Sequence, residues 1–314
     1  MSNNDFVETI NDKLVVAVTS SALFDQRDGS DIFINNGTEA FEKYQEERVD
    51  TPLKGGPAFN FVKKLLSLNH QLGKEVVEVV VLSKNSVKAG RRVFRSIEHY
   101  KLPISRAVFL SGGEPHDYIP AFNVSLFLST NRTSIDLAIN KGFPAGLVLN
   151  YDHMGDSNGD ILKLAFDFDG VVVDDESESV YKKGDLDKFQ NFETKNANIS
   201  HSPGPLAKFF KQISWIQQLE SQKESEDPNY KKVLRTSIVT ARGAPAHERV
   251  ITTLYTWGVF ADETFFLAGL KKARIFETLK PDMFFDDQMV HLDADEQGLA
   301  LVHIPYGIAN NKVK

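Results

Sequence analysis

Four stretches of this sequence end an apolar run in residues suited to handling a phosphate group. Leu162-Lys-Leu-Ala-Phe-Asp167-Phe-Asp169 delivers two carboxylates at i and i+2. Ser237-Ile-Val-Thr240-Ala241-Arg242 ends a β-branched run in a hydroxyl, with a cation two residues on. Phe265-Phe-Leu-Ala-Gly-Leu-Lys271-Lys272 turns through a glycine to two cations. Pro281-Asp-Met-Phe-Phe-Asp286-Asp287-Gln288 ends in adjacent acids. In open α/β sheets ligands bind at the carboxyl ends of strands, where all four sets would stand. A lone Asp-x-Asp is common in surface turns. The order Asp-x-Asp, Thr, Lys, Asp-Asp is specific as a set.

Residues at strand ends need strands, and the apolar patterning supplies them. Ten short apolar runs lie at 14–19, 77–82, 107–110, 124–128, 147–149, 161–166, 236–239, 265–268, 283–285 and 300–304. Amphipathic stretches at 58–72, 88–100, 205–219, 246–257 and 271–279 come between them. Apolar runs bounded by turns indicate strands buried on both faces, and the helical stretches are the crossovers that parallel strands require. The fold class is α/β, with doubly wound parallel sheets.

The two halves of the chain also match each other. Val79–Ser83, followed by Arg92-Val93, Ile97 and Tyr100, lines up with Thr236–Thr240, followed by Arg249-Val250, Leu254 and Trp257. Gly56-Pro57 with Phe61 and Lys63 lines up with Gly204-Pro205 with Phe209 and Lys211. A polar stretch at 221–230 takes up the extra length of the second half as a surface loop. The expectation is a duplicated unit, residues 1–155 and 156–314, with its boundary in the polar run 150–160. In the first copy Thr19 and Ser21 stand where the second has Asp167 and Asp169. Ser83 stands for Thr240, Pro115 for Lys272, and Ser129-Thr130 for Asp286-Asp287. That half is expected to be catalytically silent, to pack against the active half and to help shape its pocket.

With Ala17–Phe24, Gly56–Phe59, Ile97–Tyr100, Gly204–Leu206 and His303–Gly307, the four motifs resemble the haloacid-dehalogenase-like superfamily of aspartate-nucleophile phosphohydrolases. More narrowly, most of the chain resembles the type I cytosolic 5′-nucleotidases, which prefer AMP. The resemblance implies Mg2+-dependent hydrolysis of nucleoside 5′-monophosphates through an aspartyl-phosphate. It makes Asp167 the nucleophile, and Asp169 the acid that protonates the leaving oxygen and then activates water. An acid with that duty needs a carboxyl protonated near neutral pH, hence a raised pKa. Thr240 would donate its hydroxyl to a phosphoryl oxygen, Ala241 and Arg242 would bind substrate beside it, Arg242 through ribose or phosphate, and Lys272 would neutralise phosphoryl charge, with Lys271 the alternative one residue away. Asp286 and Asp287 would hold Mg2+ with Asp167 and the backbone carbonyl of Asp169, an all-oxygen set suited to a hard cation. The superfamily inserts a cap between the first two motifs, here about 174–234, whose Phe189 and Phe192 offer rings to a base.

Each residue has a plainer role open to it. Thr240 could cap the following helix, Lys271 and Lys272 could be solvated charge, and Asp286 could cap a turn. Arg242 could pair with Glu248, and Phe189 and Phe192 could be the core of the cap.

The 314 residues hold 36 Lys+Arg and 43 Asp+Glu, a net charge of −7, with 41% hydrophobic residues and no cysteine. At roughly 150 residues per domain this is about two domains. Without cysteine there are no disulfides, thiolate nucleophiles or zinc–cysteine sites. The acidic balance argues against a nucleic-acid partner. No run reaches the ~18 apolar residues of a membrane span, and residues 1–13 lack the basic and apolar regions of a signal peptide. The expected setting is the cytoplasm and the expected partner a small nucleotide, with homo-oligomerisation open. Two other readings stand beside it: a phosphatase of another small phosphomonoester such as a sugar phosphate, and a non-catalytic nucleotide sensor or scaffold.

Overall fold

The apolar runs become ten strands in the computed structural model, which describes residues 13–149, 159–292 and 299–310. The first half carries β1 (Leu14–Val18), β2 (Val77–Ser83), β3 (Arg106–Phe109), β4 (Leu126–Ser129) and β5 (Ala145–Val148). The second carries β6 (Leu162–Phe166), β7 (Leu234–Thr240), β8 (Glu263–Phe266), β9 (Met283–Asp286) and β10 (Ala300–His303). Every residue of β1, β4, β5 and β9 is buried, as strands covered on both faces must be.

All ten strands form one sheet, in the order β3-β2-β1-β4-β5-β10-β9-β6-β7-β8. Followed inward from either edge, the order is the same: third strand, second, first, fourth, fifth. Neighbours are parallel throughout except at the centre, where β5 and β10 pair antiparallel through Val148–Val302 and Leu147–His303. That seam is where the structure departs from the expected pair of sheets. Each half alone would expose an unpaired edge at β5 or β10, and the seam covers both.

An antiparallel seam turns one strand set end for end, so the carboxyl ends of the two sets open at opposite edges. Thr19, Ser21, Ser129 and Thr130 gather at the first-half edge. There Thr19 Oγ1 donates to Ser129 Oγ at 3.4 Å and Thr130 Oγ1 to Ser21 Oγ at 2.7 Å. This hydroxyl cluster does not line the edge that carries Asp167.

Helices Phe59–Leu72 and Ala207–Glu226 share one apolar core with strands of both halves. Phe166 stacks on Phe285 at 4.9 Å between ring centroids and meets Phe210 edge-on at 5.3 Å. Residues 1–155 and 156–314 therefore separate two strand sets but not two cores; the boundary at 150–158 lies outside the described residues. The expected cap is also shorter than 174–234. Helices Glu176–Lys183 and Leu186–Lys195 are followed by Pro203, which closes the excursion in an isolated bridge to Val173. Helix Ala207–Glu226 buries Phe209, Phe210, Ile213 and Ile216, so it is a crossover, not cap. It runs through 221–226, which were expected as loop. Among the described residues no helix is long and apolar enough to cross a membrane.

Candidate functional site

Strands β6, β7 and β9 end side by side and bring the motif residues to one edge. The Asp167 N–H donates to Phe285 O at 2.8 Å, tying the residue to β9. Phe168 and Val171–Val173, all fully buried, then fold the chain back, with the N–H groups of Val172 and Val173 donating to Phe168 O at 3.0 Å. Gly170 makes this turn at φ +70°, and a Cβ there would lie 2.6 Å from Asp287 Oδ2. Only glycine meets both demands.

Lys272 Nζ lies 2.8 Å from Asp167 Oδ2 and 2.5 Å from Asp286 Oδ2, all three groups being buried. Lys271 is exposed. Burial pushes the Lys272 ammonium towards neutrality, but the two acids outweigh it and raise its pKa. Burial lifts Asp167 to about 7, against the pull of Lys272. Thr240, at the end of β7, accepts the Arg242 N–H at 3.2 Å through its hydroxyl oxygen. Ala241 is exposed beside it.

Asp169 departs from expectation. Arg242 grips its carboxylate with both arms of the guanidinium, Nε to Oδ2 and Nη2 to Oδ1, each at 2.7 Å. Burial would raise the pKa of Asp169, but Arg242 outweighs it and the pKa is lowered. The carboxyl required for acid duty is thus held ionised in this state. The plainer role of Arg242, a pair with Glu248, is not what the structure shows. Arg242 is buried and bonds Glu193, not Glu248, through Nη1. Phe189 and Phe192 pack against arginines: the guanidinium carbons of Arg242 and Arg249 lie 5.5 Å from the respective ring centroids.

The acid pair after β9 divides in two. Asp286 accepts from Lys272, from the Gln288 N–H at 2.8 Å and from His291 Nδ1 at 3.1 Å. Burial opposes ionisation of Asp286, but Lys272 and His291 prevail and its pKa is lowered. Asp287 is 0% exposed, and neither of its carboxylate oxygens has a hydrogen-bond partner. Burial, joined by the charges of Asp167, Asp286 and Glu178, pushes its pKa up to about 10.

The profile of the 5′-nucleotidase family matches residues 6–311 of this chain. The chain belongs to the 5′-nucleotidase family. It is 31% identical over 291 residues to human cytosolic 5′-nucleotidase 1B, an alignment covering 90% of this chain and 47% of that protein. The chain thus spans about half the length of the curated relative it matches. No solved structure matches it significantly.

A family of this kind suggests a divalent cation, and the acids can be tested for one. A buried carboxyl with no partner is costly, and a hard cation is the group that satisfies oxygen donors. Asp287 has that need. Ligating atoms of Asp167, Asp286 and His291 also lie within 4.8 Å of one another. There, however, Lys272 already supplies the positive charge and occupies Asp286. Asp287 fits a cation better, with Asp167 on the same edge.

Several residues of this candidate site were given no role by the sequence. Glu193 (1% exposed) accepts from Arg242, from Arg249 Nη1 at 3.2 Å and from Ser177 Oγ at 2.7 Å. The Nε2 of His303 donates to Asp287 O at 3.0 Å, since a carbonyl can only accept. Nε2 of His201 accepts from Arg242 Nη2 at 3.0 Å, so its proton is on Nδ1, towards Thr253 Oγ1 at 3.0 Å. Burial and then Arg242 lower the His201 pKa to about 3 from an ordinary 6.5.

The sign for stability follows from that shift. Below pH 6.5 the unfolded chain takes up a proton that folded His201 refuses. Its contribution is whole above that pH and is lost as pH falls towards 3, by at most about 1.4 kcal/mol per pH unit. His201→Gln cannot titrate, so its urea midpoint is expected to fall less steeply with acid than that of the parent protein. Parallel slopes would show that His201 is not the group responsible.

Proposed function

We propose that this chain hydrolyses nucleoside 5′-monophosphates of the AMP type to nucleoside and phosphate. What supports the reading is the meeting of Asp167, Thr240, Lys272 and the Asp286-Asp287 pair at one sheet edge, in a 5′-nucleotidase family chain. Asp167 attacks phosphorus, the bond from phosphorus to the nucleoside 5′-oxygen breaks, and that oxygen takes a proton from Asp169. Water then attacks the aspartyl-phosphate, passing a proton to Asp169, and phosphate leaves. A carboxylate is a weak nucleophile, so the rate depends on alignment and on neutralising phosphoryl charge.

Lys272 serves both ends, orienting Asp167 and countering phosphoryl charge. Thr240 still has its hydroxyl proton to donate to a phosphoryl oxygen. Asp169 can hold a proton only when Arg242 loosens its grip. A phosphoryl group arriving beside Arg242 competes for the guanidinium and so favours protonation of Asp169. Mg2+ would be held by Asp167, Asp287 and the backbone carbonyl of Asp169, while Asp286 steadies Lys272. When bound, it offsets the negative charge on the phosphoryl oxygens.

The first half is read as a silent copy: its strand order repeats that of the second, and hydroxyls stand at the places of the acids. One assay tests both readings, namely phosphate release from a panel of mononucleotides and sugar phosphates, with Mg2+ and with chelator. AMP-like nucleotides are expected to be the best substrates, and chelator to cost at least about a hundred-fold. Thr19→Val is expected to leave turnover unchanged; a large loss would give the first half a catalytic part. No release from any nucleotide overturns the main proposal. Release from sugar phosphates alone favours the other phosphatase reading.

A further inference from the structure

The acids of the site do not all come from the strand ends. Glu178 sits on the short cap helix Glu176–Lys183, with its side chain only 9% exposed. Its Oε1 accepts from Gln288 Nε2 at 3.2 Å and pairs with Lys182 Nζ at 3.0 Å. Its Oε2 is buried with no hydrogen-bond partner. Gln288 directly follows Asp287, whose two carboxylate oxygens are also buried and unpartnered. Three unsatisfied carboxylate oxygens, from two separate elements, are thus held at one side of the site.

The charges point the same way. Among the described residues, Asp167, Asp286, Asp287 and Glu178 share the buried ammonium of Lys272, the imidazole of His291 beside Asp286, and Lys182 at the rim, whose side chain is 39% exposed. Glu178 also lies close enough to Asp287 for their charges to interact. Its oxygens do not join the close group formed by Asp167, Asp286 and His291. A magnesium-sized cation retains several waters, and residues outside the direct ligands orient them.

We propose that Glu178 is an outer residue of the metal site, accepting hydrogen bonds from water on a cation held by Asp287 and so tying the cap helix to metal binding. The inference rests on the metal reading above and extends it to the cap. Burial without a partner is the expected state of an acceptor whose donors arrive with the ion. Metal binding and docking of helix Glu176–Lys183 then favour each other.

The test uses the full chain freed of metal by chelator and dialysis, with Mn2+ affinity read by paramagnetic resonance and Mg2+ affinity by calorimetry. Glu178→Gln is expected to weaken both by about ten- to a hundred-fold. Glu178→Asp, which keeps the charge, is expected to lose less and guards against a folding failure of the first variant. Asp287→Asn is expected to abolish measurable binding. Affinity of Glu178→Gln within about two-fold of the parent protein overturns the inference while leaving the role of Asp287 intact. A parent protein that binds neither ion overturns the metal reading and the inference together, whatever the phosphatase assay returns.

Discussion

Asp167→Asn is expected to lower turnover of AMP at least about ten-thousand-fold, a loss of about 5.4 kcal/mol of transition-state stabilisation. The amide has the size of the carboxyl but is no nucleophile, so the proposed aspartyl-phosphate cannot form. The fold should survive. Asparagine can still accept the Phe168 N–H, which donates to Asp167 Oδ1 at 2.7 Å. The amide N–H₂ then faces Lys272, at a local cost, but Lys272 keeps its contact with Asp286, which still answers its charge. Burial already works against the charge of Asp167, so a neutral group in its place is tolerated. Single-turnover phosphate release, beside a urea unfolding curve, separates lost chemistry from lost structure. Activity within about a hundred-fold of the parent would remove Asp167 as nucleophile.

Glu193→Gln is expected to be the most damaging change for stability, at about 3–5 kcal/mol. Glu193 is the buried anion between two buried arginines and also takes the Ser177 hydroxyl. Glutamine removes the charge and turns an N–H₂ group towards cations that can only donate. Two guanidiniums are then left short of countercharge away from water. The damage reaches the chemistry, because Arg242 carries the tie from Glu193 to Asp169. The check is the midpoint of urea unfolding at constant slope, together with the ratio of kcat to its parent value. A midpoint unchanged by the substitution would show that the arginines find other partners.

These two residues also mark the limits of reading this chain from its letters. Asp167 was legible, because a run buried on both faces announces a parallel strand and the acids follow at its end. The same logic located Thr240 and Asp286-Asp287, whereas only the family resemblance favoured Lys272 over Lys271; each of the ten strand runs overlaps a strand of the sheet. Glu193 was not legible. On helix Leu186–Lys195 it reads as one more solvated acid, and its partners Arg242 and Arg249 lie far along the chain. Helix Arg27–Glu47 was missed for another reason. Most of its residues are exposed, so it shows no broad apolar face, and Gly37 interrupts it at φ +83°. The end of the cap was misjudged because cap and crossover are both helical, and only contact with the sheet tells Ala207–Glu226 from Leu186–Lys195.

The sequence by itself determined which residue types reach the ends of which strands, since alternation, burial and turn chemistry act over a few neighbouring residues. It could also match one half to the other. Tertiary structure alone decided that a seam between Val148 and Val302 makes one sheet, with the two sets of strand ends at opposite edges. It alone decided the charge states: Asp169 ionised under Arg242, Asp287 pushed the other way, Lys272 kept charged by two acids. Ionisation depends on burial and on distances of a few ångströms between groups remote in the chain, and neither is written in local order.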